Sequence, residues 1–164
     1  MNWYLIVKFF HIAAVAITIG GMIARQLVRA HARKSDDVEV IASLTRVAIR
    51  MDRVLVIPWS NIMVVMGIVL ALMLKWPIFG FLQGVTQNWL LVSNILLIIM
   101  VVLIAAVFIP HNKKLEAILR PALAEGQVTP ELSAALNDKQ NRISHYIEEA
   151  AILTITALMV LKPF

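Results

Sequence analysis

Long runs of apolar residues without charge alternate with basic connections along this chain. Two charge-free runs begin at Val54 and Trp89, and a third, from Tyr4, is interrupted only by Lys8. A helix of about 20 apolar residues crosses the roughly 30 Å of a bilayer's hydrocarbon core. The pattern therefore predicts three transmembrane helices, over about residues 3–25, 54–75 and 89–110.

A fourth apolar segment is shorter, because only Ala150 to Leu161 is free of charge. If this segment also crosses the bilayer, its helix must begin near His145, and the span covers about residues 145–162. Glu148 and Glu149 then lie about one turn inside the membrane boundary. We expect a single domain, residues 1–164, with an all-α fold: a four-transmembrane-helix bundle.

The basic residues indicate how the helices are oriented. Only Lys8, Lys75 and Lys162 fall on one side of the predicted membrane, and the remaining arginines and lysines lie in the connections after the first and third spans. Because cytoplasmic connections carry the excess of lysine and arginine, both termini are expected outside. The net charge of +5 is thus a topology signal, and no nucleic-acid partner is indicated.

Both basic connections are expected to continue as helix beyond the membrane. Asp36 or Asp37 can cap a helix that leads to the second span, and Thr129 followed by Pro130 is a typical helix start. The bundle should therefore have helices extended on the cytoplasmic side. The absence of cysteine excludes disulfides, thioether-linked haem and iron–sulfur clusters.

His11 lies inside the first span, where an ionisable side chain is a functional candidate by default. At 100° per residue, Thr18, Arg25 and Arg29 share its face, and small residues occupy the opposite face, where Gly20 and Ala24 favour close approach of a neighbouring helix. Residues at a similar depth in the other spans are Met66, Asn94 and Thr154. Neutral imidazole at His11 can ligate a metal such as haem iron, or simply hydrogen-bond across helices.

A second group of polar residues falls near the inner surface. The residues at similar depth there are Arg25, Arg50, Asn61, His145, Glu148 and Glu149. They could form ion pairs that fix the helix register, or handle protons. His145 and Glu149 also have the i, i+4 spacing of a metal-binding pair, but no matching pair is evident on another helix.

Several short motifs carry a family resemblance. Lys8-Phe-Phe-His11 leading to Gly20-Gly21, Arg50-Met51-Asp52-Arg53 before a proline-containing helix, and the closing Leu161-Lys162-Pro163-Phe164 resemble the small bacterial membrane proteins around the haem-b-dependent protoporphyrinogen oxidase. They are closer still to related predicted integral membrane proteins of unknown function. The resemblance implies a bacterial inner-membrane location, haem b at His11, and a quinone or porphyrin-type small molecule as partner.

Three functional hypotheses follow. In the first, His11 ligates haem iron, Asn94, Thr154 and Met66 surround the cofactor, and Glu148 and Glu149 accept protons. In the second, the protein is a non-catalytic accessory subunit or assembly factor of a membrane protein partner, and its polar residues only lock helix packing. The third, a small transporter, is less favoured because the chain has no evident inverted repeat.

Overall fold

The computed structural model describes residues 2–163, and every regular element in that range is helical. The α-helices are α1 Trp3–Ala32, α2 Val38–Met51, α3 Ile57–Met73, α4 Trp89–Leu103, α5 Ile109–Glu125, α6 Pro130–Leu136 and α7 Lys139–Leu161.

Four helical segments are long and apolar enough to cross a membrane. They are Trp3–Ala32, Val38–Met73, Trp89–Glu125 and Pro130–Leu161. Each is longer than the roughly 20 residues that a span needs, so helix continues beyond the apolar stretch. The predicted all-α membrane bundle with four spanning helices is confirmed.

The second and third segments each contain one π-helical turn, Asp52–Val56 and Ile104–Phe108. In each case a proline, Pro58 or Pro110, follows two residues after the turn ends. A proline within a helix lacks an N–H, and its ring clashes with the carbonyl four residues earlier. The wider turn relieves that clash, with the N–H of Ile57 bonding the carbonyl of Asp52, five residues back. The disturbance that a proline causes in a helix takes the form of a π turn before Pro58.

The helical segments pack mainly as two pairs: α1 lies against α2 and α3, and α4 lies against α7. α1 approaches its neighbour closely at Gly21, where an added Cβ would lie 3.0 Å from the Cβ of Leu55. Gly20, which the sequence placed on the packing face, has open space around it, so that expectation is wrong. The reason is that α1 turns its polar face inward, because buried polar groups find partners there, whereas lipid accepts the small apolar face.

We call the end of the bundle that carries residues 33–37 and 126–138 the basic end. A small second core lies there, in which α2, α5 and α6 bury Val38, Ile41, Ala122 and Leu132. Asp37 caps α2 by accepting from the N–H groups of Glu39 and Val40, as expected for that position. This core holds the extended helices together beyond the apolar spans.

The segment after Thr129 differs from the single long helix that the sequence predicts. Thr129 does cap a helix, accepting from the N–H of Leu132, but that helix ends at Leu136. Asp138 then caps α7, accepting from the N–H of Gln140. A carboxylate that bonds its own downstream backbone favours a new helix start over continuation, and the break lies there.

Candidate functional site

A buried group of charged side chains is built around Arg25, on the inward face of α1. Its guanidinium donates from Nη1 to Asp52 Oδ1 and from Nη2 to Glu148 Oε2, each at 2.6 Å. The side chains of Arg25 and Glu148 are both 4% exposed. Such short contacts are typical of charge-assisted hydrogen bonds. Arg25 therefore links α1 to the α2–α3 junction and to α7.

Arg29, one turn along α1, completes the charge balance. It donates from Nη2 to Asp52 Oδ2 at 3.2 Å, so both oxygens of that carboxylate accept from an arginine. The four residues Arg25, Arg29, Asp52 and Glu148 carry two positive and two negative charges. We call these four residues with His145 the ion-pair network. Its formal charge is zero when the histidine is neutral.

The protonation pattern of His145 follows from its partners. Nε2 contacts Nη1 of Arg29, and because a guanidinium can only donate, Nε2 must be the acceptor. Nδ1 lies 3.0 Å from Glu148 Oε2, which can only accept, and 3.4 Å from Nη2 of Arg25, which can only donate. The shorter contact places the proton on Nδ1, which donates to Glu148. The network therefore holds the neutral Nδ1–H tautomer.

All four long helical segments contribute to this centre. Phe108, the last residue of the second π turn, stacks on the His145 ring, with centroids 4.1 Å apart and planes at 15°. Asp52 is the first residue of the other π turn. The two irregular turns thus aim a carboxylate and an aromatic ring at the same site, in keeping with the frequent occurrence of π-bulges at functional sites.

Two members of the network, Asp52 and Arg29, were not among the predicted site residues. A signal for each was present in the sequence. Asp52 is the only carboxylate between residues 40 and 115, and Arg29 shares the angular face of Arg25. Counting depth along regular helices does not bring Asp52 to this site. The π turn changes the direction of the Asp52 side chain and shifts the register of the helix.

The other residues predicted for this site lie elsewhere. Arg50 and Asn61 are exposed on the surface of the described chain. Glu149 is half-buried, and its carboxylate faces the side chain of Gln26. The carboxylate that binds His145 is that of its neighbour, Glu148. Among residues 2–163, no three histidine or carboxylate side chains form a group that could hold a metal ion.

His11, the first predicted site, packs against α3. Its Nδ1 lies 2.9 Å from the carbonyl oxygen of Met63, which can only accept, so Nδ1 carries the proton. The ring edge rests over Gly67, where an added Cβ would lie 3.1 Å from Cε1. Within residues 2–163, Nε2 has no hydrogen-bonding partner. A histidine held by an Nδ1–H to carbonyl bond, with Nε2 free, is oriented as metal-ligating histidines usually are.

The residues predicted to surround a cofactor at His11 make other contacts. Asn94 donates from its amide to the carbonyl of Ile78 at 3.1 Å. The Thr154 hydroxyl donates to the carbonyl of Ala150 within α7 and is exposed. Met66 is half-buried on α3, one turn from Met63. The structure thus supplies an oriented imidazole, while Asn94 and Thr154 are engaged elsewhere.

Comparison with known proteins places the chain among membrane proteins. No curated protein and no solved structure matches it. Residues 5–163, nearly the whole chain, match the model of one family. The chain is an integral membrane protein that sits in a lipid bilayer, and it belongs to the family described as predicted integral membrane protein (DUF2269).

Proposed function

We propose that this protein binds haem b through His11 and acts as a small redox protein of the bacterial inner membrane. The observation that supports this proposal is the bond from Nδ1–H of His11 to the Met63 carbonyl. That bond fixes the tautomer in which Nε2 is the free, basic nitrogen that haem iron requires. A bound haem would supply one-electron chemistry with a quinone or porphyrin-type partner.

The surroundings of His11 suit a fixed ligand. The absence of a side chain at Gly67 lets the imidazole lie directly against α3, which restricts rotation of the ring. Thr18 lies two turns further along the same face, and its buried hydroxyl has no partner within residues 2–163. Polar positions therefore continue along α1 from His11 towards the ion-pair network.

The two glutamates take different parts in this proposal. Glu148 is locked between Arg25 and His145, so its role is to fix helix register. Glu149 is half-buried and outside the network, so it is the carboxylate that remains available to accept protons. The arginine-rich connections would face the cytoplasm, with both termini outside, because of the excess of basic residues there.

The test is a reduced-minus-oxidised visible spectrum of protein expressed with ample haem. Wild type should show stoichiometric b-type bands, and His11→Ala should abolish them. His31→Ala is the matched control, because His31 is exposed and bonds only within α1, to the carbonyl of Leu27. Loss of the bands in His11→Ala alone, with the fold retained by circular dichroism, supports the assignment. A featureless wild-type spectrum refutes it.

A separate observation supports the accessory-subunit hypothesis: the positive and negative charges of the ion-pair network neutralise one another. Four charges pair among themselves and hold α1, α7 and the α2–α3 junction together, which is what a structural lock requires. This hypothesis predicts a colourless protein in which His11→Ala is tolerated. The same spectra therefore distinguish the two functions.

A further inference from the structure

A cleft of about 270 Å³ opens at the basic end between α2 and α5. It has roughly nine times the volume that one molecule occupies in liquid water. Ala48, Ile49 and Leu115 are among the residues that form its apolar floor. The cleft is separate from His11, and it meets the ion-pair network only where Arg29 lines its wall.

The rim of the cleft carries three polar side chains whose donors are free. Arg46, Asn112 and Asn141 all line it. Arg46 makes no salt bridge within residues 2–163. Neither asparagine amide has a hydrogen-bonding partner in the same part of the chain. The cleft is also lined by the carboxylate of Glu116, which pairs with Arg120 at 3.0 Å. The guanidinium of Arg46 and the two amides are therefore left as a recognition set for an anionic oxygen group.

The position of these donors relative to the bilayer indicates the source of the anion. Asn112 lies two residues beyond the end of the third apolar run at Pro110, about 3 Å at the helical rise per residue. The headgroup layer extends about 5–7 Å beyond the hydrocarbon on each side. Asn112 is therefore at the level of lipid phosphates. Arg46, eight residues before Val54, is about 12 Å out by the same count, and its long side chain must reach back towards that level.

We propose that this cleft binds the headgroup of an anionic phospholipid. The phosphate accepts from Arg46 and Asn112, and the first methylenes of the acyl chains lie on the apolar floor. Clusters of basic residues beside transmembrane helices attract anionic lipid, and basic pockets between helices hold such headgroups. The proposal does not depend on haem binding at His11.

The experiment measures thermal unfolding of the full chain in detergent during titration with phosphatidylglycerol, and counts bound lipid by native mass spectrometry. Wild type should be stabilised and should retain about one lipid per chain. Arg46→Gln should weaken the apparent affinity about five-fold, from the contribution of one basic residue near a membrane surface. Arg53→Gln, the same change at an exposed arginine away from the cleft, should leave it unchanged.

Asn112→Ala is a second variant, in case Arg46→Gln fails to fold, and it too should weaken binding. Four results would overturn the proposal. They are equal losses in the Arg46 and Arg53 variants, equal stabilisation by phosphatidylcholine, equal stabilisation by inorganic phosphate alone, and equal stabilisation by oleate. The first two indicate non-specific attraction, the third a soluble anion, and the fourth a carboxylate amphiphile.

Discussion

Replacing Glu148 with glutamine should unfold the protein at a markedly lower temperature. Its carboxylate, 4% exposed, accepts from Arg25 at 2.6 Å and from His145 at 3.0 Å. Glutamine keeps the shape of the side chain but leaves the buried guanidinium of Arg25 with one carboxylate partner fewer. Removing one partner of a buried pair costs about 3–5 kcal/mol. For a domain of this size, that loss lowers the unfolding temperature by about 6–20 °C.

The adjacent Glu149 provides the matched control. Glu149→Gln removes the same charge from the same helix, one residue away, at a half-buried position outside the network. Its effect on the free energy of unfolding should stay within about 0.5 kcal/mol. Thermal unfolding of both variants in the same detergent, followed by circular dichroism, makes the comparison.

A double replacement tests whether the cost arises from an unpaired charge. Arg25→Met with Glu148→Leu removes one charge of each sign and leaves Arg29 paired with Asp52. Replacing both members of a buried pair by apolar groups is often neutral or stabilising. The double variant should therefore be more stable than Arg25→Met alone. Equal losses for Glu148→Gln and Glu149→Gln, or strictly additive losses in the double variant, would refute the reasoning.

Two further pairs of variants test the helix contacts. Gly21→Ala places a Cβ 3.0 Å from the neighbouring helix and should destabilise the protein by about 1–3 kcal/mol through overpacking. Gly20→Ala lies in open space and should stabilise the protein by about 0.5–1 kcal/mol, because alanine favours helix over glycine. Phe108→Ala removes the buried ring stacked on His145 and should cost about 3–5 kcal/mol, whereas Phe81→Ala, at a residue 63% exposed, should have little effect. Thermal unfolding measures all four, and a reversed order within either pair would contradict the packing described.

The class of fold follows from the apolar pattern of the sequence. Charge-free runs long enough to cross hydrocarbon leave few alternatives to helix, because backbone groups in lipid must bond within their own segment. Local rules also placed one cap at Asp36 or Asp37, of which the structure uses Asp37, and another at Thr129. Each of these features depends on residues within a few positions of one another, so a linear pattern is sufficient to predict it.

Which polar residues meet depends on how the helices pack against one another. Depth counted along the helices brought Arg25, His145 and Glu148 to one level, but that count assumes regular helices. The π turn at Asp52–Val56 breaks that assumption and directs the carboxylate of Asp52 at Arg25. The choice of Glu148 over Glu149 likewise depends on how α7 is rotated against α1. That rotation is set by packing between segments more than 100 residues apart in sequence, which no local pattern encodes.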